Sequence, residues 1–120
     1  MDTFDSAVLN GADYSTGVKK LYRNYNNYNK LAHAGNVSAL AIVLDLDRAF
    51  DELSNNQQFA IIEVLINGES VADVAFWHQS TSDRIKNYIK SGIKKTSKLL
   101  DSGKLYRLLT DIEEPHVLQM

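Results

Sequence analysis

Between Leu53 and Leu100 the chain is cut into helices by a series of caps and stops, and their spacing limits the fold more than any other feature. Ser54 is followed three residues later by Gln57, the capping-box spacing in which each side chain satisfies the other's orphan amide. Phe59, Ile62, Leu65 and Ile66 then supply an apolar face, and Asn67-Gly68 stops the helix because glycine accepts the left-handed conformation that follows a helix end. Ser70 caps a short helix over Val71 to Trp77, with Val71, Val74 and Ala75 pointing inward. His78-Gln79-Ser80 forms a turn, and Thr81 caps a long helix whose inner face is Ile85, Ile89, Ile93, Thr96 and Leu100. Asp101-Ser102-Gly103 ends it.

The N-terminal half continues the helical pattern. Tyr14, Val18, Leu21, Tyr25, Tyr28 and Ala32 recur at steps of three and four, one stripe of a helix, with Tyr22 off the seam. Tyr alternating with Asn and Arg also suits stacking against nucleobases, but the stripe assigns Tyr25 and Tyr28 to packing. The Ala34-Gly35-Asn36 break separates this helix from a second, Val37 to Leu53, started by Asn36 or Ser38. Its expected buried residues are Val37, Leu40, Ala41, Leu44, Ala49, Phe50 and Leu53. The whole reads as one all-α domain over 1–120 with about five helices. It comprises an N-terminal helical pair over 14–53, a three-helix unit over 54–100, and a C-terminal extension or tail over 101–120, loose from Asp111 onward.

Composition removes several functional classes. The 120 residues include no cysteine, which excludes disulfides, thiolate metal sites and cysteine nucleophiles and fits a reducing, cytoplasmic setting. The longest apolar runs, such as Ala39 to Leu44, fall far short of a membrane span, and the acidic start lacks a signal peptide's basic region. His33, His78 and His116 lack metal-ligand spacing, no phosphate-binding loop or nucleophile elbow occurs, and the serines serve as caps. The expectation is no enzyme, no catalytic residue, no metal and no cofactor. Asp45, Asp47, Asp51 and Glu52 cluster on the second helix, yet Arg48 sits among them, so they read as a solvated acidic face.

The formal net charge of −2 hides a polarity along the chain. Residues 76–100 hold Arg84, Lys86, Lys90, Lys94, Lys95 and Lys98 against Asp83 alone, whereas residues 54–75 carry no base. Such a stretch in an acidic protein marks an anion-facing surface, for which nucleic acid is the commonest partner. A helix, a glycine turn, a short helix, a three-residue turn and a basic helix make the layout of a helix-turn-helix. In that unit the second short segment braces a recognition helix against the major groove. Ala75 provides the small residue where two helices cross, and Ile85 fills the space beneath.

These residues resemble a known family. Leu53-Ser54-Asn55-Asn56-Gln57 is similar to the Leu-Thr-x-x-Gln/Glu opening of sigma-factor region 4 domains and LuxR-type regulators. Gly68-Glu69-Ser70-Val71-Ala72-Asp73-Val74-Ala75 resembles their Gly-x-Ser-x-x-Glu-Ile-Ala, and Arg84 to Ile89 resembles their Thr-Val-Lys-Asn-His-Ile. Ile42 to Ala49 is similar to the helix ahead of this domain in small sigma-like regulators of phages and prophages. The resemblance spans about residues 37–100 and implies a DNA-binding transcriptional regulator. The chain departs from the family in the turn, where His78-Gln79-Ser80-Thr81 replaces Leu-Gly-Val-Ser. Gln79 must therefore adopt an unusual backbone conformation or the turn must be rebuilt, at a cost of ~1 kcal/mol or more for each altered contact.

On that reading Lys86 and Asn87 reach base edges, since Lys donates to guanine and Asn pairs with adenine. Thr81 and Ser82 meet phosphate at the helix start, and Arg84, Lys90 and Lys94 meet backbone phosphate. The expected partner is double-stranded DNA, with no membrane, and the Tyr14 to Ala32 seam offers a homodimer surface. The alternative, motivated by the acidic total and the altered turn, is a protein-interaction module that binds RNA polymerase or another regulator.

Overall fold

The computed structural model describes residues 14–113, and these are all-α: seven α-helices and one π-helical segment, with no strand among the described residues. In chain order they are α1 (Tyr14–Arg23), α2 (Tyr25–His33), α3 (Val37–Asp51) and α4 (Asn55–Ala60), which runs directly into the π segment Ile61–Ile66. After them come α5 (Val71–Trp77), α6 (Ser82–Leu99) and α7 (Ser102–Glu113). α6 packs against α1, α3, α4, α5 and the π segment, so the core is assembled around it.

The stripe from Tyr14 to Ala32 is two helices rather than one. Asn24 breaks it, because its side-chain amide donates to the Lys20 carbonyl at 2.9 Å, which its own backbone N–H also reaches at 3.0 Å. Short polar side chains compete with the helical ladder in this way. The break frees α1 to turn Val18, Leu21 and Tyr22 toward α6, an i, i+3, i+4 face. Tyr22, expected off the seam, is 1% exposed, and its hydroxyl is 2.8 Å from the Thr96 hydroxyl. Val18, Leu21 and Tyr28 are likewise buried inside the chain, so the apolar seam expected at a dimer surface is occupied by intramolecular packing.

α3 also faces opposite to expectation. Asn36 caps it, accepting from the Ala39 N–H at 2.9 Å, but the buried residues are Ala39, Ile42, Val43, Leu46 and Ala49. Val37 is 78% exposed, and Leu40 and Leu44 are exposed with it. The helix carries two apolar stripes of equal period, and packing against α2 and α7 selects between them.

The last twenty residues are not a loose extension throughout. Residues 102–113 form α7, which buries Leu105 and Leu109 against the core and packs on α3. The Lys104 ammonium lies 3.1 Å from the Asp45 carboxylate, and the Ser38 hydroxyl donates to Asp111 at 2.6 Å, both linking α7 to α3. Leu105, Leu108, Leu109 and Ile112 have helical spacing, and that signal outweighs the polar composition around it. The remainder of the expected tail, including Pro115, lies outside the described residues.

Candidate functional site

The segment Ser54 to Leu99 is held by the capping chemistry its sequence announces. Ser54 and Gln57 make both capping-box bonds, the Ser70 hydroxyl accepts from the Asp73 N–H at 3.0 Å, and the Thr81 hydroxyl accepts from the Arg84 N–H at 3.2 Å. Gly68, at φ +80°, reverses the chain between the π segment and α5. The π segment is the unannounced element: the Asn67 N–H reaches the Ile62 carbonyl at 2.8 Å, an i→i+5 bond. The wider turn puts Ala60, Ile61 and Leu65 inward and leaves Ile62, expected in the core, exposed.

The turn between α5 and α6 is closed by the Ser80 N–H donating to the Ala75 carbonyl at 2.8 Å. Gln79 sits at φ +52°, the left-handed region that the missing glycine would have occupied without strain. His78, where the family has Leu, stacks its ring on Phe59 at 4.0 Å between centroids and meets the Glu63 carboxylate at 2.8 Å. The altered turn therefore keeps an aromatic contact and adds a polar tie to the preceding helix.

α6 divides its circumference between core and solvent. Ile85, Ile89, Gly92, Ile93 and Thr96 are buried. Gly92 lies where α6 crosses the π segment, since a Cβ there would come within 2.8 Å of Ile61 Cδ1. Of the expected nucleic-acid contacts, Thr81, Arg84, Lys86, Asn87, Lys90 and Lys94 are exposed and Ser82 is half-buried.

These seven do not form a single patch. Lys86, Lys90 and Lys94 follow one flank of α6 and line a cleft of about 560 Å³ together with Lys19 and Arg23 of α1. Val64, Leu65, Val71, Ile89 and Ile93 also line this cleft, and no carboxylate does. None of the five cations makes an ion pair with a described residue. Thr81, Ser82, Arg84 and Asn87 do not line the cleft. Arg84 lies roughly 200° around the helix from Lys86, on the other flank. The i, i+4 pair Lys19 and Arg23 is visible in the sequence, but its relation to α6 depends on how α1 docks.

Elsewhere the titratable groups are engaged singly. Asp45 meets Lys104 and Arg48, and Asp47 accepts from the Tyr25 hydroxyl at 2.8 Å. His33 Nδ1 contacts the Asn29 carbonyl at 2.8 Å, far in sequence from the His78–Glu63 pair, and His116 is outside the described residues. Tyr22 and Tyr25 border a second cavity of about 240 Å³ with Leu46, Asp47, Phe50, Ile62 and Ile66. Burial pushes the Tyr22 hydroxyl up to about 12, with the Thr96 bond opposing and the Asp47 charge adding. Burial, the bond to Asp47 and its charge push the Tyr25 hydroxyl up to about 12 as well. Both phenols are therefore neutral near pH 7 and supply no phenolate base there.

Comparison with protein-family models, curated proteins and solved structures finds no match. Among the described residues, no helix is long and apolar enough to cross a membrane.

Proposed function

We propose that the chain is a double-stranded DNA-binding transcriptional regulator of the phage or mobile-element type, in which α5 and α6 act as a helix-turn-helix. The observation that supports this reading best is the row Lys86, Lys90 and Lys94, exposed without ion pairs on a helix whose opposite face is firmly buried. A rigid cationic helix suits a duplex, because phosphate neutralisation provides affinity while base-edge contacts provide selection. Lys86 and Asn87 project from the N-terminal half of α6, where a recognition helix reads bases. Thr81 and Ser82 at the helix start, with Arg84, Lys90 and Lys94, contact phosphate. No step of this function calls on catalysis, a metal or a cofactor.

The test is retention and sequencing of pooled phage and bacterial DNA fragments over a salt series. Recovery of a common site, with affinity falling steeply as salt rises, supports the reading. Lys86→Glu with Lys90→Glu then abolishes retention, and Asn87→Ala relaxes the preference at one position of the site. Failure of the wild-type protein to retain any duplex at low salt refutes it.

A second reading is favoured by one specific observation. Phe76 and Trp77, at the end of α5, are 80% and 54% exposed, and aromatic residues of this kind anchor protein interfaces. A module binding RNA polymerase or another regulator would lose its partner on Phe76→Ser and Trp77→Ser while tolerating Lys86→Glu and Lys90→Glu.

A further inference from the structure

The opposite wall of the cleft carries an assignment that the helix-turn-helix layout does not contain. Resting on the DNA reading, we infer that Lys19 and Arg23 of α1 seat the phosphodiester backbone of the same duplex that α6 engages.

Five cations line this cleft with no carboxylate among its lining residues. Like charges gathered in one concavity repel each other, and the concavity focuses their field, so the arrangement favours an anion that neutralises them. The anion's shape follows from the layout. Lys86, Lys90 and Lys94 spread over about 12 Å of helix axis. Lys19 and Arg23 form a shorter parallel list of charges, one turn apart, on the facing wall. A single phosphate or carboxylate fits one end of such a row, whereas a chain of phosphates fits its length.

The wall is also fixed in place. Val18 and Leu21 are fully buried, and the Tyr22 hydroxyl is hydrogen-bonded to Thr96 on α6 at 2.8 Å. The helical backbone bearing Lys19 and Arg23 is therefore positioned against α6 before any ligand arrives, so binding orders side chains rather than a segment. Phosphate contacts carry no base information, so α1 adds affinity and orientation while selection stays with α6.

The experiment compares the full-length protein with a Lys19→Gln, Arg23→Gln variant on mixed-sequence duplex DNA, measuring affinity across a salt series. Far-ultraviolet circular dichroism and a thermal melt establish that the variant folds, which is expected because it leaves Val18, Leu21 and Tyr22 untouched. Five neutralised phosphates correspond to a slope of log affinity on log salt near −4.5, and losing two makes it shallower by about 1.8. The expected result is that change in slope, an equal fold-loss of affinity on every sequence, and an unaltered ranking of selected sites.

If the wild type binds DNA and the folded variant keeps the same slope, the role of α1 is overturned while the DNA reading stands. A variant that re-ranks the selected sites overturns the phosphate assignment, because α1 is then reading bases. Should the wild type retain poly-glutamate but no duplex, both the inference and the DNA reading fall, and the cleft belongs to an acidic protein partner.

Discussion

Replacing Tyr22 by Phe deletes one oxygen from the centre of the molecule and leaves its partner behind. Tyr22 is 1% exposed and Thr96 is 0% exposed, so after the substitution no water reaches the abandoned Thr96 hydroxyl. An intramolecular hydrogen bond contributes ~1 kcal/mol net, and a stranded buried partner adds a desolvation penalty, so Tyr22→Phe costs about 1–3 kcal/mol. Thr96→Val strands the Tyr22 hydroxyl instead and costs a similar amount. The double variant removes both polar groups and keeps both shapes, so its loss is far smaller than the sum, with a coupling of roughly 1–3 kcal/mol. Urea unfolding reads this directly: with a slope of ~2 kcal/mol/M, each single variant lowers the midpoint by about 0.5–1.5 M at unchanged slope. Additive single losses in the double variant refute the reasoning. They would mean that each hydroxyl is satisfied by another group, such as a carbonyl one turn back on its own helix.

Three further outcomes follow from the packing and the titrating groups. Leu109→Ala, at a 1% exposed position of α7, lowers stability by about 2–5 kcal/mol in the same assay, whereas a change under 0.5 kcal/mol means that α7 is dispensable to the core. Gln79→Gly relieves the left-handed strain at φ +52° and raises the thermal midpoint, with a gain of ~1 kcal/mol; a lower midpoint refutes strain at the turn. Tyr22 and Tyr25 hold their protons up to about 12 in the folded chain against 10.0 when unfolded. Their contribution is complete below pH 10 and is lost as pH rises from there toward 12, so unfolding midpoints fall across that window. Tyr22→Phe flattens the fall, and an equally steep fall in that variant counts against the assignment.

Legibility in the sequence followed the locality of the physics. Ser54, Gln57, Ser70, Thr81 and Gly68 act within a few residues of themselves, and each does what its spacing announces. The inner face of α6 was equally plain, because a long helix with isoleucines on one stripe and lysines on the other leaves one choice of face. α3 defeated the same logic, since Val37, Leu40 and Leu44 repeat as regularly as Ala39, Ile42 and Leu46, and only the neighbouring helices distinguish them. Tyr22 was misplaced because the break at Asn24 is made by a side chain competing for the Lys20 carbonyl, which a periodic count does not register. At the site, the α6 cations were legible as a charge run. Their partners Lys19 and Arg23 were not, because a cleft between helices so distant in sequence exists only after both have docked.

α6 is at once the axle of the molecule and the bearer of its cations. Whatever the lysine flank grips is gripped by the element on which every core contact converges, so occupancy and unfolding cannot be separated. A ligand at a hundred times its dissociation constant adds about 2.7 kcal/mol to the resistance of the whole chain. The protein is in that sense its own label-free sensor: a melting curve, run against candidate polyanions, reports capture without any knowledge of the sequence or partner it has evolved to hold.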